Sequence, residues 1–300
     1  MKLLPDLLKL TIPKEFNLQG AKLATISQVT AYKGIMERKP TPSRQTTLYN
    51  IQSTRTALTA FQGTQETDAT IWNGLKNSVI RLRVRQFLYK ALHGTQKVGE
   101  YWKHINGCET RQTCSSCEST ESMEHILINC HEPPPRIIWS LARRTWPHAE
   151  NLWPTPSLGI ILGCGAITLP PPNNQPELPP RNPETLPNKG TRRLLQILIS
   201  ESAHLIWVLR CERVIRERQH HPEEIQARWL QAINARLTDD KITATRIKQC
   251  TTFTSLVTST WEPILSKDRD IPTPSNWLLN SEVLVGTRLP NPPHIEVWAT

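Results

Sequence analysis

Glycine is scarce, at 12 of 300 residues, while proline reaches 25, so freely rotating turns are few and chain breaks are many. Apolar residues make up only 38% and mean hydropathy is −0.42, which excludes a uniformly packed globule and points to ordered blocks joined by proline-rich breaks. Long apolar runs are also lacking. Lys2, Pro5, Asp6 and Lys9 interrupt the first residues, and the longest uncharged stretch, Asn151 to Pro176, is cut by Pro154, Pro156 and Pro170 to Pro172. Neither a secretory signal nor a spanning helix is expected, so the expected location is intracellular, nuclear or cytoplasmic, with no membrane partner. Acid is in deficit: 26 Asp and Glu face 36 Lys and Arg, and the net charge of +10 favours polyanionic partners. Seven cysteines, an odd number without a secretory signal, fit free or metal-bound thiols better than a disulfide framework.

Periodicity divides the rest. Residues 1–66 read as weakly structured, with Pro40, Pro42 and a Ser/Thr/Gln-rich run, although Ala21 to Met36 could form a helix. Asp68 is a plausible N-cap for a short helix carrying Ile71, Trp72 and Leu75. Asn77 to His93 predicts a better helix, with Ile80, Val84, Phe87, Leu88 and Ala91 on one face and Arg81, Arg83, Arg85 and Lys90 on the others. Pro133 to Pro135 stop the following cysteine-rich block, and Ile137 to Trp146 predicts another helix. Eight prolines fall within Pro170 to Pro187, a spacer pattern that splits the chain. Beyond it, Arg192 to Arg218 carries a broad apolar stripe, Pro222 with Glu223 and Glu224 opens a helix with a stripe at Ile225, Trp229, Ile233 and Leu237, and Thr251 to Leu265 predicts a weaker third. The expected fold is therefore mainly α. Its parts are a zinc-stabilised helical module over 67–150, a proline-rich linker over 151–190, a helical bundle over 191–265 and a tail over 266–300.

One segment carries chemistry. Cys114 and Cys117 are separated by two residues, His125 follows after seven and Cys130 after four more. Two cysteines at that spacing can wrap one metal, and three thiolates with an imidazole suit tetrahedral Zn²⁺, although iron–sulfur chemistry shares the spacing. Four full ligands leave no open position, which makes the site structural. Thr120 can cap a helix that carries Glu121, Glu124 and His125. Five helical positions rotate by about 140° beyond one turn, so Cys130 must lie at or past the helix end to share the ion with His125. Cys108, His104 and His131 are close enough in sequence to replace a ligand, and the bland alternative is a set of buried cysteines with a core histidine.

The run from Cys114 through Glu121-Ser-Met-Glu-His125-Ile-Leu-Ile-Asn-Cys130, preceded by Phe87-Leu-Tyr-Lys and Tyr101-Trp102, resembles the reverse transcriptase zinc-binding domain found after the polymerase in non-LTR retrotransposon polyproteins. It looks most like the fungal version, in which this module follows a ribonuclease H domain. Flanking stretches are similar too: Phe16 to Leu23, Leu158-Gly159 through Gly165, and Glu201 to Trp207 through Arg210 to Arg213. The resemblance spans most of residues 14–290, with the zinc signature its most specific part, and implies Cys114, Cys117, His125 and Cys130 as the metal ligands. It also implies that the ribonuclease H domain would end just before Met1.

Catalytic signatures are missing. No aromatic-x-Asp-Asp polymerase motif occurs, Asp239-Asp240 sits in a polar helix end, and the spaced acids of ribonuclease H are unrecognisable, so no catalytic residue, enzymatic activity or small-molecule substrate is expected. RNA or DNA is the expected partner. From Lys76 to Arg111 eight Lys and Arg face two Glu, a net +6, with Arg81, Arg83, Arg85 and Lys90 as the expected phosphate contacts. Tyr89, Tyr101 and Trp102 are placed where they could stack on unpaired bases, or fill a core. The metal loop, with three glutamates and no Lys or Arg between Cys114 and Cys130, should repel phosphate. Arg210, Arg213, Arg216 and Arg218 form a second basic cluster, softened by Glu212 and Glu217; a solvated helix face is the commoner origin of such a run. His204 and Trp207 read as packing residues, and Cys164, Cys211 and Cys250 as small buried hydrophobes. Two rivals stand beside a nucleic-acid-binding module: a structural or protein-interaction segment, including a degenerate retroelement remnant that binds nothing, and an autonomous nuclease.

Overall fold

Helices account for most of the residues described by the computed structural model, which are 26–38, 44–170, 186–246, 251–265, 277–279 and 285, and no strand occurs among them beyond two isolated bridges. The chain divides into two units, Met1–Gln45 and Thr46–Thr300. The first contains α1 (Gln28–Arg38), which buries no residue. The second contains α2 (Gln45–Gln62, but for its first residue), α3 (Asp68–Gly74), α4 (Leu82–Leu92), α5 (Pro133–Thr145), α6 (Leu158–Leu162), α7 (Leu186–Arg216), α8 (Pro222–Arg246) and α9 (Thr251–Trp261). The mainly α expectation holds. Both the span expected as a metal module and the span expected as a helical bundle belong to this second unit, where α5 packs on α7 and α8.

The long helix α7 is the centre of the unit. Leu194, Leu195, Ile197, Leu198, Ile199, Leu205, Ile206 and Leu209 are all buried along its central stretch, and α4, α5, α6, α8 and α9 pack against it. Among the described residues one helix, Asn188–Arg216, is long and apolar enough to cross a membrane, and 78% of its apolar window is buried inside the unit, the position of a core helix. Several of its buried polar groups have partners on other elements. Arg193 pairs with Asp240 at 2.7 Å, Trp229 Nε1 donates to Ser202 Oγ at 2.9 Å, and Glu201 accepts two bonds from Arg81. Asp240 also accepts from Trp261 Nε1 at 2.7 Å, so the Asp239-Asp240 pair serves packing: one carboxylate is locked among arginines and a tryptophan and the other is exposed.

Three boundaries differ from the sequence expectation, each for a physical reason. The span 1–66 contains α2, an 18-residue helix whose inner face is Thr47, Asn50, Ile51, Thr54, Leu58 and Gln62. Its period of three and four is hidden because four of those six residues are polar. Asn50 Nδ2 reaches the carbonyls of Ala91 and Leu92 at 3.3 and 3.0 Å, satisfying the C-terminal end of α4, and Gln62 Oε1 accepts from the Thr168 N–H at 3.0 Å. Residues 151–170, expected to open a linker, pack instead: Ile160, Ile161, Leu162, Cys164 and Ile167 are buried, and Ser157 caps α6 with a 3.2 Å bond from the Ile160 N–H. Pro154 and Pro156 precede this helix and do not break it. Gly159 lets α6 cross α2, since a Cβ there would lie 2.7 Å from the Ser53 carbonyl oxygen. The prolines from 171 to 185 lie outside the described residues. In the expected tail, Trp277 and Val285 are buried, and the Val285 N–H donates to Asn234 Oδ1 at 2.8 Å.

Smaller shifts follow the same logic. Thr67, not Asp68, caps α3, and Asp68 in its first turn pairs with Arg55. Helix α4 starts at Leu82, five residues after the expected Asn77, because residues 77–80 form a turn closed by the Ile80 N–H on the Asn77 carbonyl. Pro133 to Pro135 open α5 at its first turn, where a missing N–H costs nothing.

The α4–α7 interface carries a titratable group. His204 lies edge-on to Phe87 at 5.7 Å, with Trp207 5.9 Å from the same ring. Burial lowers the His204 pKa to about 4, against an opposing pull from Glu201 and with help from Arg83 and Arg81. The folded chain therefore refuses a proton that the unfolded chain takes up below about pH 6.5, and stability falls as pH drops from there towards 4. Urea unfolding should show wild type losing about 2–3 kcal/mol more than His204→Gln across that window. Parallel pH profiles for the two chains would contradict this.

Candidate metal centre

The metal loop begins as a tight turn. The Cys114 N–H donates to the Ser119 carbonyl and the Glu118 N–H to the Cys114 carbonyl, both at 2.9 Å, Glu118 adopts φ +55°, and Thr113 and Thr120 pair as an antiparallel bridge. This puts Thr120 in the bridge, and the helical turn that follows is capped by Ser122, whose Oγ accepts the His125 N–H at 3.0 Å. His125–Asn129 then forms a π-turn, closed by the Cys130 N–H on the His125 carbonyl at 2.8 Å. An i→i+5 closure stacks residue 130 against residue 125, which an α-helix would have rotated apart. The wider turn is the local device that brings the fourth ligand to the third.

Cys114, Cys117, His125 and Cys130 converge, with one ligand atom from each lying within 4.8 Å of all the others, and could hold a metal ion. Cys130 Sγ is 3.7 Å from Cys114 Sγ and 3.9 Å from Cys117 Sγ. A tetrahedral site with metal–sulfur bonds of about 2.3 Å has sulfur–sulfur edges of about 3.8 Å, while a disulfide would need about 2.05 Å. His125 Nε2 is buried with no hydrogen-bond partner, and Nδ1 faces Ser119 Oγ at 3.5 Å. The orphaned nitrogen is the one a metal would satisfy, with the other held by a hydroxyl as ligating histidines usually are. Backbone amides serve the sulfurs: the His131 N–H points at Cys117 Sγ at 3.3 Å, and the Ser116 and Cys117 amides approach Cys114. Burial raises the Cys114 thiol, yet the neighbouring His125 ring, those amides and Cys130 outweigh it and bring the pKa down to about 7. Cys130 moves the other way, up to about 12, through burial and the neighbouring thiols, with the Glu132 amide opposing. Bringing one thiol down and forcing another up is what three sulfurs do when they share too little space for three negative charges without a cation.

His104 and Cys108 do not belong to the cluster, and His131 contributes only its backbone. Of the remaining thiols, Cys164 is fully buried with its pKa pushed up to about 12, a small hydrophobe, while Cys211 is half-buried, with burial raising its pKa against the pull of Arg210. Cys250 lies outside the described residues.

What the sequence did not reveal is a clamp from α7. Arg210 Nε donates to Glu121 Oε2 at 2.9 Å, and Arg213 reaches Glu121 at 3.7 Å, Glu132 at 3.3 Å and Ser115 Oγ at 3.1 Å. The Glu121 side chain is only 1% exposed. Two members of the expected second basic cluster are therefore tied to the metal loop and offset its negative charge. Arg218 pairs with Glu224 and Glu212. The spacing of Arg210 and Arg213, one α-helical turn apart, was a usable signal, but nothing local to it says that the partner lies about 90 residues upstream.

The expected phosphate contacts separate into two kinds. Arg81 is held by Glu201, with Asp239 at 4.0 Å, and burial, which would lower its pKa, is outweighed by those carboxylates. That places Arg81 in the α4–α7 interface. Arg85 is half-buried and donates to the Lys76 carbonyl at 3.1 Å. Arg83 and Lys90 are exposed. Among the aromatics, Trp102 is buried with its Nε1 on the Lys97 carbonyl at 2.9 Å, whereas Tyr89 and Tyr101 are exposed. Comparison of the chain with protein-family models, with curated proteins and with solved structures returns no match.

Proposed function

We propose that the chain is a zinc-stapled, nucleic-acid-binding accessory module of the kind that follows the polymerase and ribonuclease H domains in fungal non-LTR retrotransposon polyproteins, without a catalytic centre of its own. The observation that carries this reading is the convergence of Cys114, Cys117, His125 and Cys130, the four positions that the resemblance singles out, at sulfur spacings suited to tetrahedral zinc. Zinc in this set would be structural, since four protein ligands leave no place for a reacting water. The nucleic-acid part draws support from residues 69–99, which contain no Asp or Glu. The phosphate contacts assigned to this stretch are Arg83 and Lys90, with Arg85 beside them, and the metal loop itself stays clear of the strand.

A structural or interaction segment is the second reading, favoured by the ion pairs that occupy Arg81, Arg210 and Arg213. Binding of labelled single-stranded and hairpin RNA at two salt concentrations separates the two. The first reading predicts affinity that falls steeply with salt and falls further in Arg83→Gln/Lys90→Gln. Salt-insensitive or absent binding by wild type establishes the second.

A further inference from the structure

The outward face of α4 differs in kind from its inner face. Val84, Phe87, Leu88 and Ala91 turn into the core, while Leu82, Arg83, Gln86, Tyr89 and Lys90 face solvent. Tyr89 is 53% exposed and is the outermost of three rings contributed by α3 and α4. Its centroid lies 4.5 Å from that of His93 and 6.3 Å from that of Trp72, and Trp72 and His93 are 5.3 Å apart. The cluster is built, not incidental: Thr47 Oγ1 holds His93 Nδ1 at 3.0 Å, and both Trp72 and His93 are half-buried. Tyr89 thus stands on a fixed aromatic base, with Arg83 and Lys90 exposed on the adjoining side of the same helix, about 100–120° around its axis. The nearest acid before this acid-free stretch, Asp68, is paired with Arg55.

We propose that this face of α4 docks single-stranded nucleic acid, with the Tyr89 ring stacking on an unpaired base and Arg83 and Lys90 meeting flanking phosphates. The inference rests on the nucleic-acid reading above and narrows it to unpaired strands and to one face. An aromatic ring on a rigid base offers a stacking surface that every unpaired base can use, and a duplex, whose bases are already stacked inside, cannot. Cations without competing carboxylates supply the sequence-independent attraction.

Fluorescence anisotropy with a fluorescein-labelled 20-nucleotide single-stranded RNA, the same sequence as DNA, and the corresponding duplexes tests this on the full chain. Tyr89→Ala is expected to weaken binding of both single strands by roughly 5- to 100-fold, the range for losing one stacked base. It should leave duplex binding unchanged, and Tyr89→Phe, which keeps the ring, should bind within about 2-fold of wild type. Arg83→Gln/Lys90→Gln should reduce the single-strand salt slope by about 1.4, from two phosphates at about 0.7 each. Tyr89→Ala that binds single strands like wild type, or that loses strands and duplexes alike, overturns the inference while leaving the broader reading standing. Wild type that binds no nucleic acid overturns both.

Discussion

Stripping the metal with a chelator, or replacing Cys117 with Ala, is expected to lower the thermal midpoint by more than 10 °C and to loosen the metal loop while the α7–α8–α9 core keeps its helices. The reason is local. Cys114 and Cys130 are 1% and 4% exposed and lie beside buried Ile126 and Leu127, so the loop's few apolar contacts depend on the sulfurs staying together. Without a cation, three sulfurs and an orphaned imidazole nitrogen remain enclosed, and the turn is left to the Arg210 and Arg213 ion pairs and the Thr113–Thr120 bridge. Binding energies for structural zinc sites reach about 10 kcal/mol or more; in a chain that also has its own core, about 5 kcal/mol of that should appear as lost stability. The damage has a defined readout. Trp139 Nε1 donates to the Leu127 carbonyl at 2.8 Å, so loosening the π-turn exposes this indole and shifts tryptophan emission to the red, while far-ultraviolet circular dichroism changes little. Complete metal removal with an unchanged midpoint and emission would show that the ion staples nothing.

The second large effect concerns Arg210. Replacing it with Met keeps the volume of its stem and removes the charge that Glu121 faces from inside the protein. A carboxylate that is 1% exposed and stripped of its close partner costs about 3–5 kcal/mol, with Arg213 at 3.7 Å softening the loss. The carboxylate would also add unbalanced negative charge to the metal loop, so release of bound metal to a chelator should quicken in Arg210→Met. Adding Glu121→Leu removes the stranded carboxylate, and the double variant should regain most of the stability, as buried pairs replaced by apolar groups often do. Unfolding by urea and zinc release followed with a chromophoric chelator measure both. A single variant as stable and as slow to release metal as wild type would mean that α7 does not hold the loop.

How much of this was legible depended on whether a signal was local. The four candidate metal ligands stand within seventeen residues of one another, and their spacing predicted that they would come together, as they do. The stripes at Ile225, Trp229, Ile233 and Leu237, and along α7, gave the later helices because sustained apolar stripes run through their buried faces, even though charged residues are buried beside them. Helix α2 was missed because its buried face uses Thr47, Asn50, Thr54 and Gln62, residues whose burial makes sense only once the carbonyls of Ala91 and Leu92 and the amide of Thr168 are in place. Residues 151–170 were misread because prolines before a helix and prolines within one look alike in sequence. The π-turn was invisible for a different reason: the sequence requires that His125 and Cys130 meet, and it leaves open whether the helix ends or widens to allow it. Arg81 appeared free because its partner, Glu201, lies 120 residues away.

Elemental analysis of the purified, desalted full chain, with Cys117→Ser measured alongside, tests the central claim most directly. The account predicts one zinc per wild-type chain, retained through gel filtration and lost from the variant. Folded wild-type protein carrying no stoichiometric metal, or a variant that keeps its full complement, would contradict it.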